Sequence, residues 1–198
     1  MKHLKGTMPD EVVTAIVENV KKYQIPGVRL IRWGEPTLHP KYIDIIRQLK
    51  NVGAIVHINT NGSLLNKEQI KRLVDVELDS LKFSFQGADE GTYNEMREGG
   101  DYKHLLEKVK SLYQTRGEKV KPYIQISTTL TGESVEQIEN FKKDVEVKCD
   151  YYNVRYTQLT HINVDNMKID EEEKEKLEIY KLKKTKSCIY RYMPWGLW

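Results

Sequence analysis

The chain has 198 residues, of which 39% are hydrophobic and 31% charged, with a formal net charge of +3. That length suits one domain plus an appendage, and the composition excludes a disordered chain. Basic and acidic residues interleave nearly throughout, and no apolar run approaches the roughly 18 residues of a membrane span, so neither a nucleic-acid stripe nor a membrane partner is expected. Residues 1–10 lack the apolar stretch of a secretory signal. The two cysteines, Cys149 and Cys188, are too far apart in sequence to read as a paired motif. A reducing, cytoplasmic setting is the expectation.

In chain order, Val12, Val13, Ile16, Val17 and Val20 repeat at helical spacing, with Thr7 and Asp10 read as an N-cap pair. A strand is expected over Val28 to Arg32, and Pro40 is read as opening a helix that carries Tyr42, Ile45, Ile46 and Leu49. Ala54 to Asn59 forms the next strand candidate. Asn66 with Gln69 then reads as a capping box before Ile70, Leu73 and Val74. Ser80 to Phe85 is a third strand, and Asp101 caps a helix holding Leu105, Leu106, Val109 and Leu112. Tyr123 to Thr128 is a fourth strand. Ser134 with Gln137 is a second capping box, before Ile138, Phe141 and Val145. Tyr151 to Thr157 is a fifth strand, and a last helix is expected from about Asp170, with glutamates early and lysines late.

Strands alternating with helices predict a parallel sheet. Strands buried on both faces usually read as continuous apolar runs. Here they alternate. Ile55, His57 and Asn59 oppose Val56 and Ile58; Lys82, Ser84 and Gln86 oppose Leu81, Phe83 and Phe85. Gln125 and Ser127 oppose Ile124 and Ile126, and Asn153 and Arg155 oppose Tyr152 and Val154. A polar face is costly to bury without partners. The expectation is therefore an α/β fold, a partial (β/α)6 barrel of parallel strands whose interior faces a polar ligand. An antiparallel sheet with one wet face is the alternative.

Ligands of parallel α/β folds gather at the carboxyl ends of strands. Three pieces fall there: Trp33-Gly34-Glu35-Pro36, Asn59-Thr60-Asn61-Gly62, and Ser84-Phe85-Gln86-Gly87. Gly34 permits close backbone approach, Pro36 fixes the exit from the strand, and Glu35 is a carboxylate suited to a ligand ammonium.

Taken in order, these pieces resemble the radical S-adenosylmethionine (SAM) superfamily. The run Ile31 to Pro40 and the stretch Leu78 to Ala88 are similar to its branch with a C-terminal auxiliary-cluster (SPASM) domain. The resemblance covers roughly residues 1 to 160. It implies a partial six-unit barrel, SAM and a [4Fe–4S] cluster as cofactors, and a small-molecule or peptide substrate. It further implies an electron donor such as flavodoxin or ferredoxin. In the family, one electron from the cluster cleaves SAM, and the 5′-deoxyadenosyl radical abstracts a substrate hydrogen.

Carried onto this chain, Glu35 matches the acceptor of the SAM amino group, flanked by Gly34 and Pro36. Asn59, Thr60 and Ser84 match positions near the methionine and ribose groups, and Asn61 and Gln86 are further candidate cofactor-binding residues. Arg97 matches an arginine for the SAM carboxylate. A surface arginine is the plainer reading of Arg97. The family's cluster loop, Cys-x-x-x-Cys-x-x-Cys after the first strand, has no counterpart here. A helix precedes the first visible strand, so the opening strand reads as missing and the chain as truncated at both ends. Residues 1–165 then form the partial barrel, and 166–198 a linker helix and the start of an auxiliary domain. Cys188 is a candidate auxiliary-cluster ligand, and Cys149 is read as packing. The edge beside Val28 to Arg32 is expected to be exposed, and low solubility follows. Two competing readings are a clusterless SAM- or nucleoside-binding module, and a barrel enzyme using His57 as a general base.

Overall fold

The computed structural model describes residues 6–31, 34–97, 99–130, 132–146 and 148–156. The chain divides into two units, Met1–Arg155 and Tyr156–Trp198. The expected helix from Asp170 and the Cys188 assignment fall outside the described residues.

Among the described residues, five strands form one sheet in the order β1 to β5: β1 Gly27–Leu30, β2 Ile55–Thr60, β3 Ser80–Ser84, β4 Tyr123–Leu130 and β5 Tyr151–Tyr156. The pairs β1–β2, β2–β3 and β3–β4 are parallel, which removes the antiparallel alternative. Register places Arg29 beside His57, Asn59 beside Lys82, and Lys82 beside Gln125. Among the described residues, strand β1 has a neighbour on one side only, in line with the expected edge.

Among the described residues, one helix precedes β1 and five lie between the strands: α1 Asp10–Lys22, then α2 Tyr42–Asn51, α3 Lys67–Asp75, α4 Glu90–Met96, α5 Tyr102–Arg116 and α6 Val135–Glu146. Their apolar faces and the alternating strand residues make one core. Ile46, Val56, Ile58, Leu73, Leu81, Phe83, Leu112 and Ile124 are buried in it. An aromatic cluster extends this core toward the carboxyl ends of the strands. Phe85 stands 5.9 Å from Tyr93, 5.8 Å from Tyr102 and 5.7 Å from Phe141, in tilted or edge-on geometry.

The helix starts follow local chemistry. Asn66 and Gln69 bond each other's backbone amides, as do Ser134 and Gln137, and Asp101 accepts from the His104 amide. Three expectations change. Thr7 does not cap α1: Pro9 holds the N-cap position without a side-chain bond, and Asp10 instead pairs with Lys41 at 2.5 Å. Pro40 does not open α2, which starts at Tyr42, because the Lys41 amide is bound back to His39 Nδ1 in a turn. Helix α4 was absent from the expected helices. It spans one short polar stretch whose only buried residue is Tyr93, so apolar spacing gives no signal; Asp89 and Thr92 supply its capping box.

Candidate active site

Glu35 is held as the hub of two loops at the carboxyl ends of β1 and β2. It caps the 3-10 turn Pro36–Leu38, where Pro36 takes the first position with its φ already set. Its Oε1 accepts from the Thr37 amide at 3.1 Å, the Thr37 hydroxyl at 2.7 Å and the Thr60 hydroxyl at 2.8 Å. Its Oε2 accepts from the Asn61 amide at 2.7 Å. Oε1 is thus crowded with donors, whereas Oε2 keeps acceptor capacity for a ligand. Gly34, with φ at +118°, turns the chain into this position.

The turn after β2 is fixed from several sides. Thr60 is buried, and its hydroxyl also accepts from the Gly62 amide at 2.9 Å. Asn61 Oδ1 accepts from the Ser63 amide at 2.8 Å, closing a local side-chain turn. Gly62 has φ at +73°, and a Cβ there would lie 2.5 Å from Leu105 Cδ1. From α5, the largely buried Lys108 donates to the Gly62 carbonyl at 2.8 Å and the Ser63 carbonyl at 2.7 Å. Burial pushes the Lys108 ammonium below its ordinary range, and nearby Asp101 opposes that shift.

On the polar face, His57 links two neighbours. Its Nε2 lies 2.7 Å from Asn59 Oδ1, and its Nδ1 lies 2.5 Å from Ser80 Oγ. Burial holds its pKa below the ordinary histidine value, and the Arg29 and Lys82 charges act in the same direction against the Asn59 bond. The ring is therefore neutral near pH 7. With Asn59 oriented in this way, Nε2 donates, Nδ1 accepts from Ser80, and the Asn59 amide nitrogen is left as donor. No carboxylate touches the ring, so the paired acid of a general-base site is missing among the described residues.

Further along the sheet, the β3 pairing continues past Ser84: the Phe85 amide donates to Ser127 O, and the Gly87 amide to Thr129 O. Gln86 Oε1 accepts from Arg97 Nε at 2.9 Å, and the Arg97 guanidinium lies over the Tyr93 ring at 6.0 Å. Arg97 is thereby tied to the strand end from the C-cap of α4. Gly87 has φ at +74°, and a Cβ there would meet Thr92 Oγ1 at 2.2 Å. The structure thus gathers Glu35 with Thr60 and Asn61, Gln86 with Arg97, and Asn59 with His57. Sequence reasoning passed over Thr37, Ser80 and Lys108. Thr37 and Ser80 lie inside the runs that resemble the family but carry no local signal of their own, and Lys108 sits at an ordinary helical position whose burial only the fold reveals.

With this geometry in place, comparison with known proteins is decisive. The model of the Radical SAM superfamily matches residues 2–145. The chain belongs to the radical SAM superfamily. It is 31% identical over 144 residues to the tungsten-containing aldehyde ferredoxin oxidoreductase cofactor-modifying protein of Pyrococcus furiosus, covering 68% of this chain and 38% of that protein. It is 29% identical over 155 residues to a GTP 3',8-cyclase of Limosilactobacillus fermentum, covering 77% and 44%. The chain thus spans less than half the length of these two relatives. Its fold resembles that of Streptococcus suis SuiB bound to S-adenosylmethionine, with a TM-score of 0.64 at 21% identity, over 91% of this chain and 41% of that one.

The family implies SAM and a [4Fe–4S] cluster. The described residues fit the first: Glu35 Oε2 has capacity for an ammonium, and Arg97 stands as a cation at the same end of the sheet. They do not fit the second. Such clusters need several thiolates, and the chain has two cysteines. Cys149 Sγ donates to the Val145 carbonyl at 3.2 Å, and burial, aided by the Asp150 charge, pushes its thiol up to about 11. It is a neutral packing group, as expected from sequence. Among the described residues no three His, Cys, Asp or Glu side chains gather as a metal site.

Proposed function

We propose that this chain is the SAM-holding barrel portion of a radical SAM enzyme of the SPASM-bearing branch. The observation that carries the reading is the Glu35 carboxylate, fixed by four hydrogen bonds at the strand ends with Oε2 still able to accept. Glu35 takes the ligand ammonium. Arg97 pairs with the ligand carboxylate, and Gln86 holds the guanidinium in place. Asn59 and Ser84 offer hydrogen bonds to the nucleoside. Gly34 and Pro36 set the approach to Glu35, while Thr60 and Asn61 brace its carboxylate. SAM, when bound and reduced, supplies the radical that takes hydrogen from the substrate. The cluster's thiolates are not provided by residues of this chain that the structure describes, and Cys188 remains the candidate auxiliary ligand.

The substrate is a small molecule or a peptide, with a flavodoxin or ferredoxin as electron donor, in the cytoplasm. The peptide half of this reading draws support from the fold shared with SuiB, which is also known bound to the precursor peptide SuiA. The test is calorimetric titration of the 198-residue chain with SAM. Saturable binding that weakens in Glu35→Gln is expected. No heat at millimolar SAM overturns the proposal. A second reading, a SAM-binding module without radical chemistry, is favoured by the absent thiolates. It predicts the same binding, and no SAM cleavage by the native protein after anaerobic iron–sulfur reconstitution.

A further inference from the structure

The five strands contain no aspartate or glutamate, yet their inner face carries three cationic side chains. Arg29 lies in β1, Lys82 in β3 and Arg155 in β5. Their strand neighbours Val28, Leu30, Leu81, Phe83 and Val154 pack into the helix-covered core, so alternation turns the three cations to the opposite face. None of them has an ion pair or a hydrogen bond among the described residues. Elsewhere in this chain, half-buried cations are matched: Lys50 with Asp79 at 2.9 Å, and Arg116 with Asp150.

Lys82 is central. It is partly buried, and β-sheet register sets it between Asn59 and Gln125. Burial lowers its pKa, and the like charges of Arg155 and Arg29 lower it further. The partly buried Lys82 is costly to leave unpaired and is relieved by an anion, with the exposed Arg29 and Arg155 adding positive potential beside it. The anion is not the SAM carboxylate assigned to Arg97. Lys82 lies four residues before Gln86, which holds Arg97, roughly 13 Å deeper along the strand.

We infer that the inner face of the sheet binds an anionic group of the substrate, a phosphate or a carboxylate, with Lys82 as the central contact and Arg29 and Arg155 beside it. Gln125, the β4 neighbour of Lys82, is a donor suited to the oxygens of such a group. This rests on the SAM reading only in naming the anion's owner as the substrate.

The test is calorimetry on the 198-residue chain at low salt, with inorganic pyrophosphate and, separately, citrate. Saturable binding of at least one is expected, and preference between them distinguishes phosphate from carboxylate recognition. Lys82→Met is expected to weaken binding about tenfold or more, the loss of one charge-assisted contact, while Lys82→Arg retains it. If Lys82→Met loses its cooperative unfolding transition, Arg155→Gln takes its place, with binding weakened severalfold. No binding of either probe at millimolar concentration overturns the inference. So does equal affinity in wild type and the folded charge-removing variant. Because SAM is absent, failure here is separate from failure of the SAM reading: pyrophosphate bound without SAM binding leaves the anion site standing, and the reverse result removes it alone.

Discussion

Replacing Glu35 by Gln separates the two roles that one carboxylate plays. The amide is nearly isosteric, but one of its two ends becomes a donor. If the nitrogen takes the Oε2 place, it faces the Asn61 amide, itself a donor at 2.7 Å from that position. If it takes the Oε1 place, the Thr37 and Thr60 hydroxyls can turn to accept, but the Thr37 amide cannot. Either way one backbone amide loses its acceptor, at a cost of about 1–3 kcal/mol in folding stability. Separately, the ligand ammonium loses one charge-assisted hydrogen bond, worth about 1.5–3 kcal/mol, or roughly 10- to 150-fold in Kd for SAM. Chemical denaturation reads the first effect and calorimetry the second. 5′-Methylthioadenosine, which lacks the amino-acid end, is the control: it should lose only the bracing contribution, and so less affinity than SAM, in the variant. Equal SAM affinity in the two proteins would refute the assignment of the ammonium to Glu35. A parallel loss for both ligands would show that Glu35 acts only by bracing the loops.

Further predictions follow from the same geometry. Lys108→Met removes the donor to the Gly62 and Ser63 carbonyls; SAM binding should weaken while the 5′-methylthioadenosine to SAM affinity ratio stays constant, since the whole turn moves rather than one contact. Gly62→Ala places a Cβ against Leu105 at positive φ and should lower stability by about 1–3 kcal/mol, measured by urea unfolding. Asp79 is a pH lever. Burial opposes its ionisation, but Lys121, Lys50 and the Val56 amide together hold its pKa below the ordinary 3.8. A depressed carboxyl pKa gives stability that is complete above 3.8 and lost as pH falls through the folded value. The stability gap between wild type and Asp79→Asn should therefore be constant near neutrality and shrink below pH 3.8. Cys149, with its thiol pushed up to about 11, should resist iodoacetamide at pH 8 in the native chain and react after unfolding, as peptide mapping would show.

The fold was legible because several independent signals agreed. Alternation in Leu81-Lys82-Phe83-Ser84-Phe85 named one buried and one polar face, and the structure buries Leu81, Phe83 and Phe85 as that pattern requires. Capping boxes at Asn66 and Ser134 fixed helix starts because both partners lie within one turn of sequence. Where a start depended on distant partners, local reading failed: Asp10 is drawn to Lys41, thirty-one residues on, and leaves the cap to Pro9. Thr60 shows the same limit within the site. Its place after β2 made it a contact for a ligand by resemblance, but its hydroxyl is spent between Glu35 and the Gly62 amide.

The strand ends therefore carry a division of labour that motif spacing does not express. Gly34, Thr37, Thr60, Asn61 and Lys108 spend their hydrogen-bonding capacity or backbone freedom on holding two loops still. Glu35 Oε2, the Asn59 amide and Ser84 keep theirs. Preorganisation of this kind moves the entropic cost of ordering the loops from binding to folding. It also predicts where substitutions will separate. A change in the holding set should lower affinity for every ligand of the site together. A change in the presenting set should alter discrimination between ligands while leaving the unfolding midpoint nearly unmoved. Glu35 belongs to both sets, with both oxygens bracing the loops and Oε2 also presenting to the ligand, which is why its substitution should register in both measurements at once.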